Sequence, residues 1–314
     1  MRDALYGADG FYRSSGAPAR HFRTAAHTSP LWAAAMAELA RRVDAALGEP
    51  AGFCVVDVGA GGGELLGALS GIAPDRWALI GVDLADRPTN LPERVQWSTE
   101  PPRGVTGLLV AVEWLDVVPV DVVELAGEGP RLVEVADDGD ERLGALASGE
   151  DAGWLQQWWA LADVGDRAEI GRSRDEAWGG LVERTLSRGV ALAVDYAADP
   201  VRDVAGTMTG YRDGRQMVPV PDGSCDITAH VLMESCAAGV TEVDGTQLLT
   251  QRDALRALGL AGERPSYDGD PQGYVAALSQ ASAAAELLDP HGLGSFAWLL
   301  HARALDLHRL LALS

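Results

Sequence analysis

Four acidic residues of this chain stand where apolar runs end. Asp57 lies at the end of Phe53-Cys-Val-Val-Asp-Val58, and Asp83 ends Trp77-Ala-Leu-Ile-Gly-Val-Asp83. Glu113 ends a run over 107–113, and Asp195 ends Val190-Ala-Leu-Ala-Val-Asp195. Such runs read as buried parallel strands. Ligands of an open parallel sheet gather at the carboxyl ends of its strands. Four carboxylates on one edge are costly for structure alone, because like charges repel and are rarely buried unpaired. Together they suit a cation, such as a sulfonium or a guanidinium, although each alone also fits a loop cap.

The strand-four exit, Val112-Glu-Trp-Leu-Asp-Val-Val-Pro119, carries a second signal. Glu113 and Asp116 are three apart, so one helical turn would put both on one face. Paired carboxylates can grip a guanidinium and take its proton. Two helix-capping acids would read the same way. Asp226 and His230 are secondary candidates for proton removal. Asp226 reads as the cap of a short helix running through Cys236, and a histidine inside such a helix also fits a purely structural role.

Between the first apolar run and a leucine-bearing helical pattern (Glu64 to Leu69) sits Gly59-Ala-Gly-Gly-Gly63. This is a strand, a tight turn and a helix start, as in nucleotide-binding sheets. Glycine lets backbone lie flat against a ligand. A dinucleotide fold would prefer G-x-G-x-x-G. The pattern Asp57-x-Gly59-x-Gly61-x-Gly63 instead resembles motif I of class I S-adenosylmethionine (AdoMet) methyltransferases. AdoMet has no phosphate, so its loop need not cradle an anion. Asp83, at the end of the second strand, can accept both hydroxyls of a ribose. The cofactor-side candidates are Asp57, Gly59, Gly61, Gly63, Asp83 and Trp97, the last at the end of a third strand pattern. A tight turn and a solvated strand end are the plainer alternative.

The elements that must position these residues follow in βαβ order. A locally basic segment over 1–30, with Arg13, Arg20, His21, Arg23 and His27, also carries Phe11, Tyr12 and Phe22. That aromatic content predicts a folded cover over the cofactor cleft. Ser29-Pro30 caps a helix to about Leu47. Strands are expected at 53–58, 77–83, 94–97, 107–113 and 190–195. An inserted hairpin is expected within 118–150, followed by a tryptophan-rich helix (Trp154, Trp158, Trp159) packing the insertion and a helix from about Ser173 to Leu186. The stretch 198–224 reads as loop. A strand near 241–250, helices at 251–259 and 271–288 and a strand near 295–302 close the chain. The expected segments are 1–50, an N-terminal cap and helix; 51–117, the first part of the core; 118–188, the insertion; and 189–314, the rest of the core with a substrate-side loop at 198–235.

The chain has 314 residues, 47% hydrophobic, enough for a substantial core. A net charge of −21 argues against nucleic acid as a partner. There is no lysine, which with abundant alanine and glycine suggests a high-GC bacterial genome. No apolar run approaches a membrane span, and the start lacks a signal-peptide pattern. The three cysteines, Cys54, Cys225 and Cys236, form no metal spacing. Cys54 reads as a small buried hydrophobe of the first strand. A cytoplasmic location, no metal and no membrane are expected.

A series of short motifs in order makes the chain similar to the MidA-type AdoMet-dependent methyltransferases, relatives of the mitochondrial complex I assembly factor that methylates a protein arginine. They are Tyr6-Gly…Gly10-Phe-Tyr12, Phe22-Arg-Thr24…Ser29-Pro30, Val56-Asp-Val-Gly-Ala-Gly-Gly-Gly63, Glu113-Trp-Leu-Asp116…Pro119, Asp195-Tyr196, Gly206-Thr207…Tyr211 and Asp226-Ile-Thr-Ala-His-Val231. The resemblance implies an α/β fold, a class I methyltransferase Rossmann-like sheet, mostly parallel with an antiparallel C-terminal strand, plus an N-terminal cap and a hairpin and helical insertion. It implies S-adenosyl-L-methionine as cofactor, lined by Gly59 and Gly61. It places Glu113, Asp116, Tyr211 and Asp226 beside a protein arginine or other nitrogen acceptor. A homodimer is the candidate assembly. Three departures stand out: Val112 replaces an Asn, Asp213-Gly214 occupies the region of a His, and Arg20-His-Phe22 replaces Gly-Asp-Phe. All three fall on the acceptor side. They leave room for a small-molecule or peptide acceptor, or for a non-catalytic assembly factor that binds through 1–30 and 118–188.

Overall fold

The computed structural model describes residues 1–14, 30–136, 138–263, 266 and 270–312. Phe22, Arg20, His21, Arg23, His27 and the Ser29 cap lie outside the described residues. The chain divides into two compact units.

The N-terminal elements are α1 (Arg2–Tyr6), α2 (Phe11–Ser14) and α3 (Pro30–Ala46). Next come β1 (Phe53–Val58), α4 (Glu64–Ser70), β2 (Ala78–Val82), β3 (Val95–Ser98) and β4 (Val105–Val112). Then follow β5 (Asp121–Ala126), β6 (Gly129–Val135), β7 (Glu141–Leu146), α5 (Gly149–Trp158), β8 (Arg167–Ile170), α6 (Arg172–Thr185) and β9 (Leu186–Asp195). The rest are β10 (Thr209–Arg212), β11 (Arg215–Met217), β12 (Asp226–Thr228), α7 (Met233–Ala238), β13 (Gly245–Thr250), α8 (Gln251–Ala257), α9 (Pro271–Leu287), β14 (Ala297–Arg303) and α10 (Leu307–Leu311).

One unit comprises Arg23–Val112, Val182–Val194 and Glu242–Ser314. It holds a seven-stranded sheet in the order β13-β14-β9-β4-β1-β2-β3. β1 pairs in parallel with β2 and β4, and β4 with β9, whereas β13 and β14 pair antiparallel. This is the mostly parallel sheet with an antiparallel C-terminal end that the sequence predicts. The reason is local: the runs of β1, β4 and β9 are buried almost throughout, as parallel strands covered on both faces must be. Helix α3 covers one face with Trp32, Met36, Leu39 and Val43, a single helical stripe. Trp32 and Trp298 both donate to Gln251 Oε1, and Gln251 Nε2 donates to Leu293 O, so the buried amide is satisfied.

The other unit comprises Met1–Phe22, Glu113–Leu181 and Asp195–Thr241. Its insertion is larger than a hairpin. Strands β7-β6-β5-β8 form a four-stranded antiparallel sheet, with β8 drawn from residues beyond 150. Trp154 and Trp159 are buried against Val123, Ala168 and Ile170, so the tryptophans pack the insertion as expected. The 198–224 segment is not only loop. β10 and β11 form a hairpin through Asp213-Gly214, both at positive φ, and β12 adds to β10. Asp226 opens that strand and caps no helix; α7 begins at Met233, so His230 lies between the two elements. Cys54 is part-exposed rather than buried. Among the described residues, no helix is long and apolar enough to cross a membrane and no group of residues could hold a metal.

Candidate active site

The glycine loop leaves β1 with Gly59, Gly61 and Gly63 all in the left-handed region, at φ 71°, 55° and 73°. Only glycine adopts this repeatedly without strain. The loop is pinned by its neighbours: Gly59 N–H donates to Val82 O (2.9 Å) and Gly61 N–H to Asp83 Oδ2 (2.8 Å). Asp83 Oδ1 also accepts from Ala85 N–H (2.9 Å). A side chain at Gly63 would strike Leu91 at 2.7 Å, whereas Gly61 faces open space. Trp97 donates to Ala85 O (3.0 Å), which sets its ring against Gly81. Asp57 is buried beneath the loop, and burial, reinforced by Asp83 and Glu64, pushes its carboxyl up to about 8. These residues fit AdoMet: an open glycine backbone, and an Asp83 carboxylate with lone pairs left for ribose hydroxyls.

The acids expected beside the acceptor lie in the other unit. Glu113 sits at φ 50°, a strained conformation for a residue with a side chain. There is no helical turn over Glu113–Asp116, contrary to the expectation from their spacing. Asp195 organises this exit instead. Its Oδ2 accepts from Leu115 N–H (3.0 Å) and Asp116 N–H (3.1 Å), and its Oδ1 from Tyr196 N–H (2.9 Å). Burial, with Asp116 and Glu113 nearby, holds its carboxyl well above the usual range. Asp116 is itself buried, and its Oδ1 makes no hydrogen bond. Burial raises it to about 6, opposed by the Arg174 guanidinium. Asp226, 1% exposed, is pushed to about 7 by burial and by Asp116. Tyr211 lies directly across the strand pair from Asp226. Burial, Asp116 and Glu113 raise its phenol.

His230 stands at the edge of this cluster. Its ring stacks on Tyr196 with centroids 6.0 Å apart, its Nδ1 is 3.8 Å from Asp203, and its backbone N–H donates to Thr207 Oγ1 (2.9 Å). The structure thus brings Glu113, Asp116, Tyr211 and Asp226 into one electrostatic group and leaves His230 as a flanking residue.

Three contributors escape sequence reasoning. Arg174, fully buried, donates to Asp116 O (2.8 Å) and His230 O (2.6 Å). Glu169 Oε1 accepts from Thr207 N–H (2.7 Å) and Met208 N–H (3.1 Å), fixing the Gly206-Thr207 loop. Tyr12 donates to Asp226. Arg174 and Glu169 carry no motif signal, because their partners are distant in sequence. Tyr12 belongs to the Gly10-Phe-Tyr12 motif, which the sequence reads as part of an aromatic cover over the cofactor cleft and not as a hydrogen-bond donor to Asp226.

A family model described as putative S-adenosyl-L-methionine-dependent methyltransferase matches residues 75–250, more than half of the chain. No curated protein gives a significant match. Among solved structures, the chain is similar to a COG1565 superfamily member from Burkholderia thailandensis bound to S-adenosyl-homocysteine. The two share 24% identity over 98% of this chain and 87% of that chain, with a TM-score of 0.80. A second COG1565 superfamily protein from the same organism shares 25% identity over 98% and 86%, with a TM-score of 0.75. The seven-stranded sheet, the glycine loop with its Asp83 and the matched family model agree: the chain belongs to the MidA-type, COG1565 family of AdoMet-dependent methyltransferases.

Proposed function

We propose that this enzyme methylates a nitrogen nucleophile, a guanidinium or amine, and that the acceptor is a protein arginine. The observation that carries the reading is Asp116 Oδ1, a buried carboxylate oxygen with no hydrogen-bond partner, set among other acids. A buried acceptor atom without a donor costs about 1–3 kcal/mol, and an N–H of the substrate would relieve it. When bound, AdoMet supplies a methyl group made electrophilic by its sulfonium. Asp57, Gly59, Gly61, Gly63, Asp83 and Trp97 hold it. The bound S-adenosyl-homocysteine of the Burkholderia relative supports AdoMet as the cofactor.

Glu113 and Asp116 orient the acceptor nitrogen, and its proton passes to a carboxylate of this group. Tyr211 and Asp226 line the same group, and His230 flanks it as a secondary base. The insertion 118–188 and the loop 198–235 supply the acceptor side together with Glu113 and Asp116 at the end of 51–117, and the rest of 51–117 with the rest of 189–314 carries the cofactor; 1–50 is the N-terminal cap segment and helix. The same reading places the enzyme in the cytoplasm.

Two experiments test this. Methyl-labelled AdoMet is mixed with the protein and an extract of cells lacking it; label should enter protein and map to arginine. Label confined to small molecules would favour the second reading, which the Asp213-Gly214 turn supports, since it replaces the family's His. Label in neither fraction would overturn nitrogen methylation in both forms. Separately, Asp83→Asn should weaken AdoMet binding about tenfold, the effect of one weakened hydrogen-bonding partner. Calorimetry showing unchanged affinity would remove Asp83 from the cofactor site.

A further inference from the structure

We propose that Tyr12 is a positioning residue of the acceptor site, its hydroxyl holding the Asp226 carboxylate in place near Asp116. The inference rests on the reading of Asp226 as an acceptor-side acid. Tyr12 Oη donates to Asp226 Oδ1 at 3.0 Å and Oδ2 at 2.9 Å. A single proton shared across both oxygens favours the ionised carboxylate. The rest of the N-terminal segment is built to hold that phenol still. Tyr6 stacks on Tyr12, with centroids 5.4 Å apart and planes at 23°, and its own hydroxyl donates to Val117 O at 3.0 Å. Val117 follows Asp116, so the two tyrosines bind the chain segments of both acids. Phe11 meets Tyr12 edge-on and is buried with Leu5, Val117, Cys225 and Ile227. Glycine at 223 lets Asp9 O approach, since a Cβ there would lie 2.5 Å from that oxygen.

The surroundings of Asp226 explain why a tether is needed. Asp116 repels it, Tyr211 lies opposite it across β10 and β12, Cys225 adjoins it in sequence, and burial disfavours its charge. Tyr12 is the neighbour whose hydrogen bond opposes these effects, together with the Ile227 backbone. A space-filling role alone would ask for a phenylalanine. The N-terminal segment therefore belongs to the acceptor side. Its aromatic content alone predicts a cover over the cofactor cleft, and Phe22, part of that expectation, lies outside the described residues.

Tyr12→Phe keeps the ring and removes only the donor. Transfer of labelled methyl from AdoMet to extract protein should fall about tenfold near pH 7. The acid limb of the rate profile should move up by about one pH unit, with AdoMet affinity unchanged and the protein still folded. In an Asp226→Asn background, the same substitution should cost less than about twofold. A tenfold loss in both backgrounds, or a uniform loss with an unmoved acid limb, would overturn the proposal. Wild-type transfer by Asp226→Asn alone would instead sink the underlying assignment of Asp226.

Discussion

Changing Glu113 to Gln and Asp116 to Asn together is expected to lower methyl transfer at least about a hundredfold, with AdoMet affinity held within about threefold. Each substitution removes a charge that would hold the acceptor, and a hydrogen bond to a charged group is worth about 1.5–3 kcal/mol. Both substitutions are isosteric, and the backbone around them is held independently of the side chains. Asp195 binds the N–H groups of Leu115 and Asp116, while Arg174 and Ala229 N–H bind Asp116 O. The exit of β4 should therefore keep its course when the charges are gone. The strained φ of Glu113 points the same way, since such strain persists only where the surroundings enforce it. Single-turnover rates and calorimetry on the same samples check this. If Glu113→Gln and Asp116→Asn each retain wild-type rates on the true acceptor, the pair is structural and the cationic acceptor falls with it.

The proposed cofactor side is legible in the sequence because its signals are local. The β1 run, the glycines and Asp83 lie within 31 consecutive residues, 53–83, and parallel strands buried on both faces read as unbroken apolar runs. The proposed acceptor side is assembled from pieces far apart in sequence. Tyr12 meets Asp226 across 214 positions, and Arg174 meets Asp116 across 58. No periodicity announces a buried arginine on α6. Strand β12 is three residues long, too short for alternation to register, and Asp226 before a mostly apolar stretch imitates a helix cap. The Asp213-Gly214 turn is a different case. It is a strong hairpin signal, hidden among the glycines and prolines of 198–224. The helical reading of Glu113–Asp116 failed because a three-residue spacing cannot distinguish a helical turn from a tight strand exit. What decides the geometry there is the distant carboxylate of Asp195.

Stability should fall as pH rises from about 5.5 to 8.5, while methyl transfer rises over the lower part of that range. Asp57, Asp116 and Asp226 are held at about 8, 6 and 7 in the folded protein, against about 3.9 in an unfolded chain. Their folded values are raised, so the folded state binds protons that the unfolded chain releases. The resulting stability is fully present below the unfolded value and is lost as pH climbs through 6 to 8. Each pKa unit is worth about 1.4 kcal/mol, so the loss across this pH window is on the order of several kcal/mol. His301 works in the opposite direction. Burial lowers its imidazole to about 4, and its contribution fades as pH drops below about 6.5. One imidazole opposes these three carboxyls and the likewise raised Asp195 and Asp175, so the carboxyls set the sign above pH 5.5. Catalysis needs the same acceptor-side acids ionised to bind a cation and take its proton, which gives activity the reverse slope. Melting temperatures across this range measure the first trend, and Asp57→Asn should flatten it. A melting temperature that climbs steadily to pH 8.5 would mean that these carboxylates are ionised and compensated in the folded protein, and that burial does not govern them.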